Sequence, residues 1–212
     1  MNLNINRTSK VVLFIVSGLL LISCANTKLS QSWVEPGNEK SFNDILIIGI
    51  GESQQNRRAY ESYFVEELNT QGIESVASYK IIRQNEDIDR NTVVNAIDGL
   101  NIDGVIVTHM VAVDEETVYR SSMNYMPMYG AGYYGSMYSY YPHVNSYVHQ
   151  PGYYTTHETY TLETNLYDVE TEEMVWSARS RTFSPESVDE VIVDLTRLLI
   201  ADLKDKGLIK KK

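Results

Sequence analysis

The chain has 212 residues, 43% of them hydrophobic, with 28 acidic against 18 basic side chains and a net charge of −10. That length suits one domain with its own core. The acidic balance repels phosphate backbones and anionic lipid surfaces, which argues against nucleic-acid binding. A single cysteine excludes an internal disulfide, so the core must hold by packing alone.

Arg7 and Lys10 make a positive head, and Val11 to Ile22 is a run of twelve almost wholly apolar residues. A membrane-spanning helix needs about 20 such residues. The run therefore reads as part of a secretory signal peptide covering residues 1–23. It closes Leu21-Ile22-Ser23-Cys24, which resembles the bacterial lipobox: an aliphatic residue, a permissive position, a small residue and a cysteine. The resemblance implies cleavage before Cys24 and acylation of Cys24, including palmitate. Several acyl chains anchor stably where one is marginal. A free thiol behind an uncleaved anchor is the alternative, and the short run speaks against it. Ala25 stands where an aspartate would signal inner-membrane retention in enterobacteria-like lipoproteins; its identity resembles the outer-membrane default, on the periplasmic side. Cleavage would leave 189 residues with 16 basic against 28 acidic side chains, a net charge near −12.

Residues 24–41 are polar, with Pro36 and Gly37. They read as a lipidated tether lifting the domain off the membrane. Trp33 is the exception, either docked on the domain or placed at the lipid interface. A single α/β domain is expected over residues 42–208. Asp44 to Gly49 is a short apolar run suited to a strand buried on both faces. Asn56 to Gln71 has Tyr60, Phe64 and Leu68 at helical spacing, with Gly72 as a stop. Ile73 to Ser78 reads as a strand, Asn91 to Leu100 as a helix presenting Val93, Val94, Ile97 and Leu100 on one face, and Gly104 to Val113 as a third strand. This β-α-β-α-β order implies mostly parallel strands. Tyr153 to Val169 alternates, with Tyr160, Leu162 and Leu166 on one face; after a polar turn, Met174 to Arg181 alternates again. Together they predict a hairpin. Ser187 to Lys206 is a long helix opened by the capping box Ser187-Val-Asp-Glu190. The expected fold is α/β, a mixed sheet covered by helices.

Ser121 to His157 is a stretch of 37 residues without Asp, Glu, Lys or Arg in a chain that is 22% charged. Its core, about 121–152, reads as a low-complexity Tyr/Met/Gly insertion in the hairpin. Three readings stand. It is a mobile excursion. Or it is a surface on which Tyr129, Tyr133, Tyr134, Tyr138, Tyr140 and Tyr141 meet an envelope protein, a glycan or a second copy of the chain, because tyrosine gives a large amphipathic contact at low entropic cost. Or His143 and His149, with nearby methionines, hold copper as soft ligands.

Catalytic signatures are sparse. Gly49-Ile50-Gly51 lacks the third glycine of a dinucleotide loop, since Gln54 stands there, and reads as a turn. His109 has no nucleophile placed beside it by any motif. Glu66-Glu67 and Glu115-Glu116 read as solvated acids, and Arg179 and Arg181 as offsets to nearby acids. No enzymatic activity and no resident cofactor are expected.

Leu166-Tyr167-Asp168, Thr171 and Val175-Trp176 resemble a hairpin found before the last helix in a group of uncharacterised bacterial lipoproteins. The order of elements also looks like the α/β fold of the TolB N-terminal domain and of the periplasmic domain of the curli-secretion lipoprotein. The resemblance implies a non-catalytic envelope lipoprotein that binds or scaffolds a partner.

Overall fold

A computed structural model describes residues 26–83, 86, 88–120 and 153–210. The elements in chain order are β1 (Thr27–Val34), β2 (Asp44–Ile50), α1 (Gln54–Thr70), β3 (Glu74–Ala77), α2 (Ser78–Ile81), α3 (Arg90–Ile97), β4 (Gly104–Arg120), β5 (Tyr153–Asp168), β6 (Met174–Phe183) and α4 (Val188–Asp205). The strands form one six-stranded sheet in the order β1-β6-β5-β4-β2-β3. β3, β2 and β4 are parallel, and β4, β5, β6 and β1 are antiparallel. The fold is the mixed α/β sheet with a long C-terminal helix that the periodicities predict.

Helix ends follow local chemistry. Ser53 caps α1 by accepting from Asn56 N at 3.3 Å. Gly72 leaves α1 at φ 81°, with Gly72 N donating to Asn69 O and Ile73 N to Leu68 O, a Schellman closure. The same pair of bonds, Gly207 N to Lys204 O and Leu208 N to Leu203 O, ends α4. Ser187 caps α4 by accepting from Glu190 N, but the Glu190 carboxylate turns to Glu186 N, one residue upstream of the reciprocal bond a capping box makes.

One sheet face carries the main core. Phe64 and Leu68 of α1 and Leu195, Leu199 and Leu203 of α4 pack there on Ile45, Ile47, Ile106, Leu166 and Trp176. Each such side chain contributes about 1.5–3 kcal/mol on burial. Gly104 is required on this face, since a Cβ there would stand 2.8 Å from Phe42 Cδ1. On the other face Leu46, Ile48 and Val105 meet Ile81 of α2 and Val93 and Ile97 of α3. Val94 and Leu100, expected on the same apolar stripe, are exposed. α3 ends at Ile97, and Gly99 at φ 76° turns the chain away before Leu100.

The stretch 24–41, read as a tether, requires correction. Eight of its residues, Thr27–Val34, are β1, paired antiparallel with β6 from Thr27↔Thr182 to Val34↔Trp176. Thr27 is buried, and Leu29 and Val34 pack on the core. Lys28, Ser30 and Gln31 are exposed, Ser32 turns inward to Asp202, and a break in register between Leu29 and Gln31 disturbs the alternation, so composition concealed the strand. The domain thus begins at Thr27, not at residue 42. It runs past 208, since Leu208 and Ile209 are both buried.

The loop after β1 is pinned by Lys40, whose Nζ lies 2.7 Å from Asp168 Oδ1. Burial alone would raise the Asp168 pKa; the hydrogen bonds from Lys40 and from Glu170 N outweigh it and hold the carboxyl below its usual value. A carboxylate with a depressed folded pKa stabilises the fold above its unfolded pKa, about 4, and that stability fades as pH falls through the folded value. Lys40→Met should therefore cost about 1 kcal/mol at neutral pH, the pair being one-third open to solvent on the lysine side. The cost should shrink below about pH 4. Urea unfolding at pH 7 and pH 3 tests this; an equal loss at both would show the lysine acting by packing alone.

Candidate functional site

β4 and β5 outrun the sheet. The last β5–β6 pair is Thr159↔Phe183, whereas β4 and β5 continue pairing through Glu115↔Glu158 to Arg120↔Tyr153. These six further pairs form a two-stranded arm reaching about 20 Å past the end of β6, at about 3.3 Å per residue. A register break between Met110 and Ala112 lies below its base and resets which side chains face which way. Above the break, Val113, Thr117 and Tyr119 share a face with Tyr160, Thr156 and Tyr154. Tyr119 and Tyr154 pack with their rings tilted at 59°, 5.2 Å between centres, and Thr117 and Thr156 hydrogen-bond at 3.2 Å. Tyr119, Tyr153 and Tyr154 are 56%, 58% and 73% exposed, and Met110, Val111 and Val113 near the base are also exposed. A two-stranded ribbon is marginal in water without a covered face.

Acids collar the arm. Glu115 and Glu158 stand directly across from one another, with Asp114 and Glu116 beside them. Like charges in register are destabilising. The Tyr160 hydroxyl donates to Glu158, and this bond holds the Tyr160 proton above its usual range. His157 stacks on Phe183 at 5.2 Å and its Nδ1 lies 3.4 Å from Ser184 Oγ.

A second surface is the outward face of β5, β6 and β1. By register it carries Glu163, Asn165, Ser177, Arg179, Arg181, Gln31 and Trp33. None of these belongs to either hydrophobic cluster. Arg179 Nη2 donates to Glu163 Oε2 at 2.6 Å, and this bond holds the Glu163 carboxyl below its usual range, with His109 adding a smaller attraction. Asn165 donates to Glu163 at 3.3 Å, while Asn165 Oδ1 and Arg179 Nε find no partner. Trp33 belongs to a paired strand of the domain, and its side chain is 41% exposed.

The Gly-x-Gly loop holds no ligand cradle. Gly49 N donates to Glu61 Oε1, which also accepts from Arg57 Nε and Ser78 Oγ, while Tyr79 N donates to Glu61 Oε2. Glu61 is fully buried and every bond ties the end of β2 to α1 and α2. Sequence reading passed over this residue; its only signal was an acid on the apolar side of α1, next to Tyr60 and three before Phe64.

Cys24, Tyr129, Tyr133, Tyr134, Tyr138, Tyr140, Tyr141, His143 and His149 lie outside the described residues. Among the described residues no group of three or more His, Cys, Asp or Glu is placed to hold a metal ion, and no helix is long and apolar enough to cross a membrane. Arg179 does offset an acid, as expected, and His109 sits across from Glu163 on β5 and Ile50 on β2.

The geometry defines an α/β domain with a projecting β-arm and an open sheet face. No protein-family model matches the chain, and no curated protein matches it. Among solved structures it is similar to the PelC dodecamer from Paraburkholderia phytofirmans, at 12% identity and a TM-score of 0.43, over 82% of this chain and 94% of that one. It is similar to lipoprotein GNA1162 from Neisseria meningitidis at 11% identity and a TM-score of 0.40, over 76% and 98%. A PDZ domain protein from Parabacteroides distasonis aligns at 12% identity and a TM-score of 0.42, over 92% of this chain and 40% of that one.

Proposed function

We propose that this chain is a non-catalytic lipoprotein of the bacterial cell envelope, anchored through Cys24 at the outer membrane and facing the periplasm, that binds or scaffolds an envelope partner. The observation that carries the reading is the open face of β1, β6 and β5. There an exposed tryptophan, Trp33, stands beside the Glu163–Arg179 pair on a rigid sheet. Tryptophan and arginine are the residues that most often dominate binding energy at protein interfaces. Glu61, the fully buried acid, is committed to fold-holding bonds at the β2–α1–α2 corner rather than to a reacting centre.

In-cell photo-crosslinking tests this, with the photoreactive residue at Trp33 on the open face or at Tyr134 in the insertion. A discrete adduct at either position supports a binding role, and its mass distinguishes a glycan, another envelope protein and a second copy of the chain. An absence of adducts at both, with the anchored protein at normal abundance, would sink the binding role. Mass spectrometry of the N-terminal peptide checks the anchor separately: acylated Cys24 is expected, and Cys24→Ser should release the domain from membranes.

A further inference from the structure

The anchor and the arm leave the domain from the same end. Asn26 O accepts from Phe183 N at 3.1 Å, which fixes the start of β1 beside the end of β6. That is the level at which β5 makes its last pair with β6 and the arm begins. Ala25 alone separates Asn26 from Cys24, so the Cα of Cys24 lies within about 8 Å of a fixed point, two Cα steps. The arm reaches about 20 Å from that level. Twist between neighbouring strands, roughly 45° over the two steps from β1 to β5, still leaves about 14 Å along the direction of β1. The leash is shorter than the arm.

We propose that the arm docks on the bilayer beside the anchor, with Tyr119, Tyr153 and Tyr154 in the headgroup layer. The proposal rests on the lipidation of Cys24 read above. A lipid surface is the occupant because the anchor brings one to this end of the domain. Beyond Glu116 and before His157, Arg120 is the only charged residue of the arm, and the segment joining its strands, 121–152, has none. Tyrosine rings favour the water–lipid boundary, where an apolar body and a polar tip are both satisfied. The depth is limited twice. The carboxylates of Glu115, Glu116 and Glu158 stay in water, and the unpaired backbone edges of a two-stranded ribbon could not be satisfied in hydrocarbon. Four residues on each strand are also too few to span, which takes about 9–11.

The test uses the full lipidated chain in neutral phosphatidylcholine vesicles. An environment-sensitive fluorophore goes on a cysteine at Thr156→Cys, on the arm, or at Thr171→Cys, in the turn at the opposite end of β5; acylation keeps Cys24 out of the labelling. The expected result is a blue shift and quenching by bromine-labelled lipid at position 156 and neither at position 171. Tyr119→Ser with Tyr154→Ser should lose the shift, and Tyr119→Phe with Tyr154→Phe should keep it. A probe at 156 that stays in water while acylated protein floats with the vesicles overturns arm docking and leaves the anchor intact. A Cys24 free of lipid by mass spectrometry overturns both.

Discussion

Trp176→Ala is expected to destabilise the domain by about 3–5 kcal/mol, the range for removing a large buried aromatic. Trp176 is fully buried in the main core between the sheet and α4. Its loss also strips Asp202 of a donor: Trp176 Nε1 reaches Asp202 Oδ2 at 2.8 Å, and Ser32 Oγ reaches the same oxygen at 2.5 Å. This triad joins β1, β6 and α4, so it fastens the edge strand β1 to the C-terminal helix. Trp176→Phe keeps a six-membered ring but loses the five-membered ring and its donor, so it should cost less than the alanine variant, about 1–3 kcal/mol. Urea unfolding followed by far-ultraviolet circular dichroism measures both. Equal losses would show that the five-membered ring and its donor, not the rest of the aromatic bulk, carry the site. Against a net stability of roughly 5–15 kcal/mol, the alanine variant would remove a large share.

The second large effect is expected at Glu61. Glu61→Ala leaves the Arg57 guanidinium, 9% exposed, without its partner at 2.9 Å and leaves Gly49 N and Tyr79 N unpaired. Breaking a buried pair from one side costs about 3–5 kcal/mol. Glu61→Leu combined with Arg57→Met removes both charges together and should cost less than Glu61→Ala alone. A double variant as unstable as the single one would mean that the backbone donors, rather than the stranded guanidinium, set the penalty. No change in binding at the open face is expected from variants at this site, because its bonds all serve the β2–α1–α2 corner.

Much of the fold was legible because its signals are local. The spacing of Tyr60, Phe64 and Leu68, the glycines at 72 and 207 and the serine at 187 each act within one turn of helix, and each does in the structure what its chemistry requires. The alternation in β5 and β6 gave the hairpin for the same reason. β1 escaped because its inward residues are a threonine, a leucine, a serine and a valine, with the serine turned to Asp202 of a helix 170 residues away. Val94 and Leu100 escaped in the opposite sense: helical spacing put them on the stripe, but α3 ends at Ile97, short of Leu100, and leaves Val94 exposed within it.

The candidate site divides along the same line. The lipobox-like motif ending at Cys24 and the charge-free, tyrosine-rich stretch are matters of composition and short motif, read from the chain alone. The arm's length, the register break at Met110, the pairing of Glu163 with Arg179, and the position of Trp33 on an open face depend on which strands lie side by side. That the start of β1 and the arm lie at the same end of the sheet also depends on it. Sequence alone determined the types of most elements, the ends of α1 and α4 and the mixed α/β class, because hydrophobic period and capping are written within a few residues. Only the tertiary structure decided the place of β1 and the arm, because strand pairing joins residues as far apart as Thr27 and Thr182, whose meeting no local pattern specifies.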